Sequence, residues 1–156
     1  MRNVRFGAAV YGSFLVASVV GVAFEADQDA RVMTTTAFAS ALVFWLAHWW
    51  SEVIGEQISA GEEFRRRDVL VVARREWPLV EATVVPTAFL ALAWAGVWSR
   101  ETGAELALGA AVLQITGWAL VAGRRAGWSW LRAGLFAAID GALGTAVLLL
   151  LEKLVH

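Results

Sequence analysis

His48, Glu52 and Glu56 stand four residues apart in the segment Arg31–Gln57, RVMTTTAFASALVFWLAHWWSEVIGEQ. At helical spacing these three ionisable side chains stack into one stripe. An imidazole changes charge near neutral pH and carboxylates exchange protons, so a proton relay is one chemistry open to them. Imidazole with carboxylates also suits a divalent transition metal, with His48 and Glu52 as candidate ligands. Two more acids lie inside apolar runs, Glu81 in Pro78–Trp98 and Asp140 near the middle of Trp128–Leu151. Ionisable groups within a bilayer are costly and by default mark ion paths, so the candidate pathway is His48, Glu52, Glu81 and Asp140. A competing reading pairs Glu52 and Glu56 with Arg65, Arg66 and Arg67, pairs Asp140 with Arg132, and gives His48 a structural interhelical hydrogen bond.

Other chemistry is excluded quickly. The chain has no cysteine, hence no disulfide, thiolate metal site or thiol nucleophile. It has no phosphate-binding glycine loop, zinc-protease motif or serine-nucleophile elbow, so no enzyme activity and no resident cofactor is expected. A divalent metal enters only as a possible substrate. The run FRRRD is accounted for by membrane topology, which leaves no role for nucleic acid.

The elements that must position these residues follow from composition. The 156 residues are 59% hydrophobic and 17% charged, well below the charge of a soluble domain. Mean hydropathy is +0.61. Five apolar segments, each near the roughly 20 residues that cross a bilayer, occupy 6–24, 32–54, 78–98, 105–122 and 128–151. The first has the charge order of a signal peptide. Its run is long and VAFEAD is a poor cleavage site, so a retained span is expected.

Basic residues orient the spans. With the N-terminus inside, ten of them (Arg2, Arg5, Arg65, Arg66, Arg67, Arg74, Arg75, Arg124, Arg125 and Arg132) face the cytoplasm, against Arg31, Arg100 and Lys153 outside. Trp49, Trp50, Trp77, Trp128 and Trp130 gather at the same inner ends and Trp98 at an outer end, as headgroup-level anchors do. Trp45, Trp94 and Trp118 lie deeper and are expected to pack between helices.

The stretch 59–77, SAGEEFRRRDVLVVARREW, reads as a cytoplasmic interfacial helix with Ser59 and Glu62 as a capping box. Its Arg65, Arg66 and Arg67 would lie near anionic headgroups. Ala133, Ala137 and Gly144 share the face of Asp140, with Phe136 interrupting it. Ala88 and Ala95 continue the stripe of Glu81, and Ala110, Gln114 and Gly117 form a weaker face in the fourth span. Small residues let helices approach, so the second, third and fifth spans are expected to turn these faces toward one another or toward a second subunit.

WLAHWWSEVIG and RREWPLVEATVVP resemble a group of small uncharacterised integral membrane proteins of actinobacterial type, in which W-x-A-H precedes an aromatic residue and a glutamate. That resemblance covers most of the chain and implies a family without an activity. GRRAGWSWLRAGLFAAIDGALG and the five-span layout are more faintly similar to vacuolar iron transporter-like proteins. Here the segment after the second span is shorter, and the first span has no intramembrane aspartate.

The expected fold is an all-α bundle of five transmembrane helices, N-terminus cytoplasmic and C-terminus outside, forming one domain. The expected setting is the cell (plasma) membrane, with the lipid bilayer and further copies of the chain as partners. The leading function is movement of a proton or divalent metal. The alternative is a non-transporting scaffold or accessory subunit with structurally paired acids.

Overall fold

The computed structural model describes residues 6–60 and 66–155, with side chains for 6–58, 69–150 and 153. The helices are α1 (Phe6–Glu25), α2 (Ala30–Ala60), α3 (Arg66–Glu76), α4 (Pro78–Trp94), α5 (Arg100–Arg125) and α6 (Trp130–Val155), with no strand among the described residues. Five helical stretches are long and apolar enough to cross a membrane: Phe6–Glu25, Ala30–Ile58, Val69–Trp94, Arg100–Arg125 and Trp130–Leu150. The architecture is all-helical and multi-pass. Large apolar side chains such as Val43, Leu113, Leu131 and Ile139 lie more than half exposed, as a lipid-facing surface requires. Ser13, Thr34, Thr83 and Thr116 donate to carbonyls of their own helices, which satisfies their hydroxyls without water.

The bundle is built around α1, which packs against α2, α4, α5 and α6. Its small residues make this possible, because Ala8, Ala9, Gly12, Ser13, Ala17 and Gly21 bury more than one side of the helix. At Gly12 the approach is limiting: a Cβ there would collide with the backbone carbonyl of Leu79 in α4. On either side of α1, α2 packs on α4 and α3, while α6 packs on α5. The second and third spans do pack together, as α2 on α4, but the Glu81, Ala88 and Ala95 face of α4 is exposed and the fifth span packs elsewhere. The face of α6 bearing Ala133, Ala137 and Gly144 is buried, but its neighbours are α5 and α1.

Several boundaries differ from those expected. The third span ends at Trp94, not Trp98, because Gly96 at φ +80° turns the chain and its amide bonds back to Ala93. The fourth begins at Arg100, not Glu105, because the Ser99 hydroxyl accepts from the Thr102 amide and caps α5. Trp94 is 54% exposed at its helix end, with the Arg31 guanidinium 6.0 Å from its ring centre, and is not an interhelical packing residue.

The stretch expected to start a separate helix at Ser59 instead continues α2 to Ala60. Glu62 of the supposed capping box lies outside the described residues, as does Arg65, and so do the side chains of Arg66 and Arg67. Within that stretch α3 is a helix of its own, and it lies antiparallel along the carboxyl half of α2. Trp77, at φ −55° and ψ −31°, carries the helical path from α3 into α4. Pro78 lacks the amide that would continue the hydrogen-bond ladder, so the helix breaks there without turning into a loop.

Candidate functional site

Trp45, His48, Trp49, Glu52 and Glu56 recur at intervals of three and four and line one side of α2. Opposite them, α3 buries Val72, Ala73 and Glu76. Two indoles tie the helices together by donating to carbonyls of α3, Trp45 Nε1 to Ala73 at 3.3 Å and Trp49 Nε1 to Val69 at 3.0 Å. The two rings stack with centres 5.6 Å apart, and Trp77 meets Trp45 edge-on at 5.4 Å. Aromatic packing of this kind adds roughly 0.5–1.5 kcal/mol per pair beyond the buried area.

The charged groups sit within this frame. Arg75 is their centre. Its Nη2 lies 3.2 Å from Glu52 Oε2 and also pairs with Glu56 Oε1, while its Nε lies 3.3 Å from Glu76 Oε1. The other Glu76 oxygen is 3.3 Å from His48 Nε2. Glu76 is wholly buried, whereas the His48 side chain is 41% exposed. Tyr11 of α1 stacks on the His48 ring with centres 6.3 Å apart. The consequence is chemical: the carboxylates of Glu52, Glu56 and Glu76 converge on one guanidinium and are engaged in ion pairs, while three acids against one cation leave the cluster net negative. Among the described residues, no three His, Asp or Glu side chains are placed to share a metal ion.

Of the residues named from sequence, the structure brings His48 and Glu52 into this cluster and leaves two others apart. Glu81 is exposed on α4, one turn beyond Glu76, and makes no ion pair among the described residues. Asp140 is half-buried on α6, in the contact with α5 and α1. Next to it, Gly141 admits the Thr116 hydroxyl, which would stand 2.5 Å from a Cβ at that position. Among the described residues no hydrogen bond or ion pair reaches the Asp140 carboxylate. Arg132 does not pair with it and instead lies over the Trp128 ring at 4.4 Å. Phe136 does not obstruct the small-residue face either. It is 44% exposed and packs edge-on against Trp128.

Arg75 and Glu76 complete the cluster, and neither stands out in the sequence: Arg75 reads as one of the inside charges and Glu76 as part of the stretch before Pro78. A usable signal was present: Val72, Ala73, Glu76, Leu79, Val80 and Thr83 form one buried helical stripe that runs straight through Trp77-Pro78.

At the other end of the bundle, Arg100 pairs with Asp27 at 3.0 Å, donates to the Gln28 carbonyl and lies over the Phe24 ring. Between the two ends, a groove of about 510 Å³ opens between α1 and α2, lined by Ser18, Val22, Gln28, Thr36 and Ser40 among others. A second, of about 400 Å³, shares Thr36 and Ser40 and adds Thr35, Ala39, Val43 and Phe44. In comparisons with protein-family models, curated proteins and solved structures, nothing matches the chain.

Proposed function

We propose that this chain is a non-transporting scaffold or accessory subunit of the cell membrane, with its N-terminus cytoplasmic and its C-terminus outside. The observation that carries this reading is Arg75, whose single guanidinium binds carboxylates from both α2 and α3. Acids held in that way fasten a helix hairpin. They are poor stations for a moving ion. The hairpin itself is long: α2 has 31 residues, about 46 Å at 1.5 Å per residue, against a hydrocarbon core of roughly 30 Å. Its far part, braced by α3, would stand at the inner membrane face as a rigid platform.

Assembly as a homo-oligomer belongs to the same proposal. Ala133, Ala137 and Gly144 of α6 are buried within the chain, and Thr35, Thr36 and Ala39 of α2 remain exposed beside the two grooves. Small and hydroxyl side chains are what close helix approach in lipid requires. A single cysteine at Ala39, in a chain that has none, tests this by oxidative cross-linking in membranes. A dimer cross-linked through Ala39→Cys but not through Leu143→Cys on α6 is expected; equal yields from both, or none from either, would overturn it.

One observation favours a second reading. His48 is partly exposed yet within 3.3 Å of a wholly buried carboxylate, an arrangement that can pass a proton between surface and interior. Proton movement on this reading requires His48 and is lost in His48→Ala.

A further inference from the structure

The turn between α5 and α6 gathers three arginines and no acid. Arg124 and Arg125 close α5, Arg132 lies near the start of α6, and AGWSW runs between them. Among the described residues none of these guanidiniums meets a carboxylate. Each rests on an aromatic ring instead: Arg124 over Trp130 at 4.3 Å, Arg132 over Trp128 at 4.4 Å and Arg125 over Phe6 at 5.3 Å. Arg124 also donates to the Trp128 carbonyl, so Trp128 organises two of the three cations. A guanidinium stacked on a ring is held by one face, and its N–H edge stays available to an anion. The charge placement is otherwise unfavourable. Arg132 lies near the positive end of the α6 dipole, and the first turn of α6 has no acid to offset it.

Apolar surface continues directly from the cations. Leu131, Leu135 and Ile139 are 75%, 60% and 58% exposed and follow one another along one side of α6. Trp130, 69% exposed, stands at the junction of the charged and apolar parts. We infer that this turn is a binding site for an anionic glycerophospholipid. The phosphate sits among Arg124, Arg125 and Arg132, and an acyl chain runs along Leu131, Leu135 and Ile139. Charge, aromatic belt and apolar track occur in the order of a lipid's own parts, whereas a free phosphate would have no use for the track. This site is independent of the α2–α3 cluster and of the scaffold reading.

Native mass spectrometry of the full chain in detergent, titrated with phosphatidylglycerol or phosphatidylcholine, tests it. Wild type is expected to hold phosphatidylglycerol at least about tenfold more tightly than phosphatidylcholine, a preference reduced to about twofold in R124Q/R132Q. Arg74→Gln, which removes an exposed arginine of α3, should leave the preference intact. Millimolar inorganic phosphate should not displace the lipid. If the double variant fails to fold, Arg132→Gln serves alone, because among the described residues its guanidinium meets only the Trp128 ring; at least a threefold loss of affinity (roughly 0.7 kcal/mol) is expected. No preference in wild type, no loss in the arginine variants, equal loss in Arg74→Gln, or displacement by phosphate would each overturn the site.

Discussion

Removing the Arg75 guanidinium would leave the carboxylates of Glu52, Glu56 and Glu76 facing one another across the α2–α3 contact. Stranding a buried charge typically costs 3–5 kcal/mol, and the partial exposure of Arg75 puts Arg75→Gln near the low end, about 3 kcal/mol. Glu76→Gln should behave differently. Its amide oxygen can still accept from Arg75 Nε, and a wholly buried position no longer holds a charge, so a change below about 1 kcal/mol is expected. Thermal unfolding of both variants in detergent checks the contrast; equal losses would show that Arg75 does not organise the cluster. At this scale the sequence was half legible. The spacing of His48 and Glu52 put them on one stripe, but their partners sit before Pro78, where a proline read as a helix start cut the pattern in two. Glu81 stands inside an apolar run, which marks it as a candidate, yet it lies on the exposed side of α4.

The hairpin of α2 and α3 depends on indole donors as much as on charge. Trp49→Phe keeps most of the ring and deletes the bond to the Val69 carbonyl, at a cost of about 1 kcal/mol. Hydrogen exchange at the α3 amides should speed up by roughly fivefold, with α5 and α6 unchanged. Unaltered α3 protection would mean that the indole bond does not hold the helix. Helix existence was readable from hydropathy because apolar length is a strong signal. Boundaries were less so, because they are set by single residues: Gly96 ends one helix, Ser99 opens the next, and Trp77 joins α3 to α4. Helix adjacency was the least legible feature. The small-residue faces of α4 and α6 were visible, but the Ala88 and Ala95 face of α4 stays exposed while that of α6 meets α5 and α1, and no periodicity encodes the difference.

The whole molecule rests on how closely its helices approach α1. At Gly12 the neighbour is backbone, which cannot move aside as a side chain can, so Gly12→Ala should cost about 1–3 kcal/mol in thermal unfolding. A neutral result would place α1 and α4 farther apart than described. Orientation is testable because the chain has no cysteine. With the N-terminus inside, an impermeant maleimide should label Lys153→Cys in intact cells and Arg74→Cys only after permeabilisation, and the reverse pattern would invert the topology. Whether the fastened acids nevertheless move an ion is settled most directly by flux. Wild type, His48→Ala and Asp140→Asn would be reconstituted into liposomes loaded with proton- and metal-sensitive dyes. A scaffold predicts that all three stay at the empty-liposome level. Proton or metal entry above that level in wild type, abolished in His48→Ala, would contradict it.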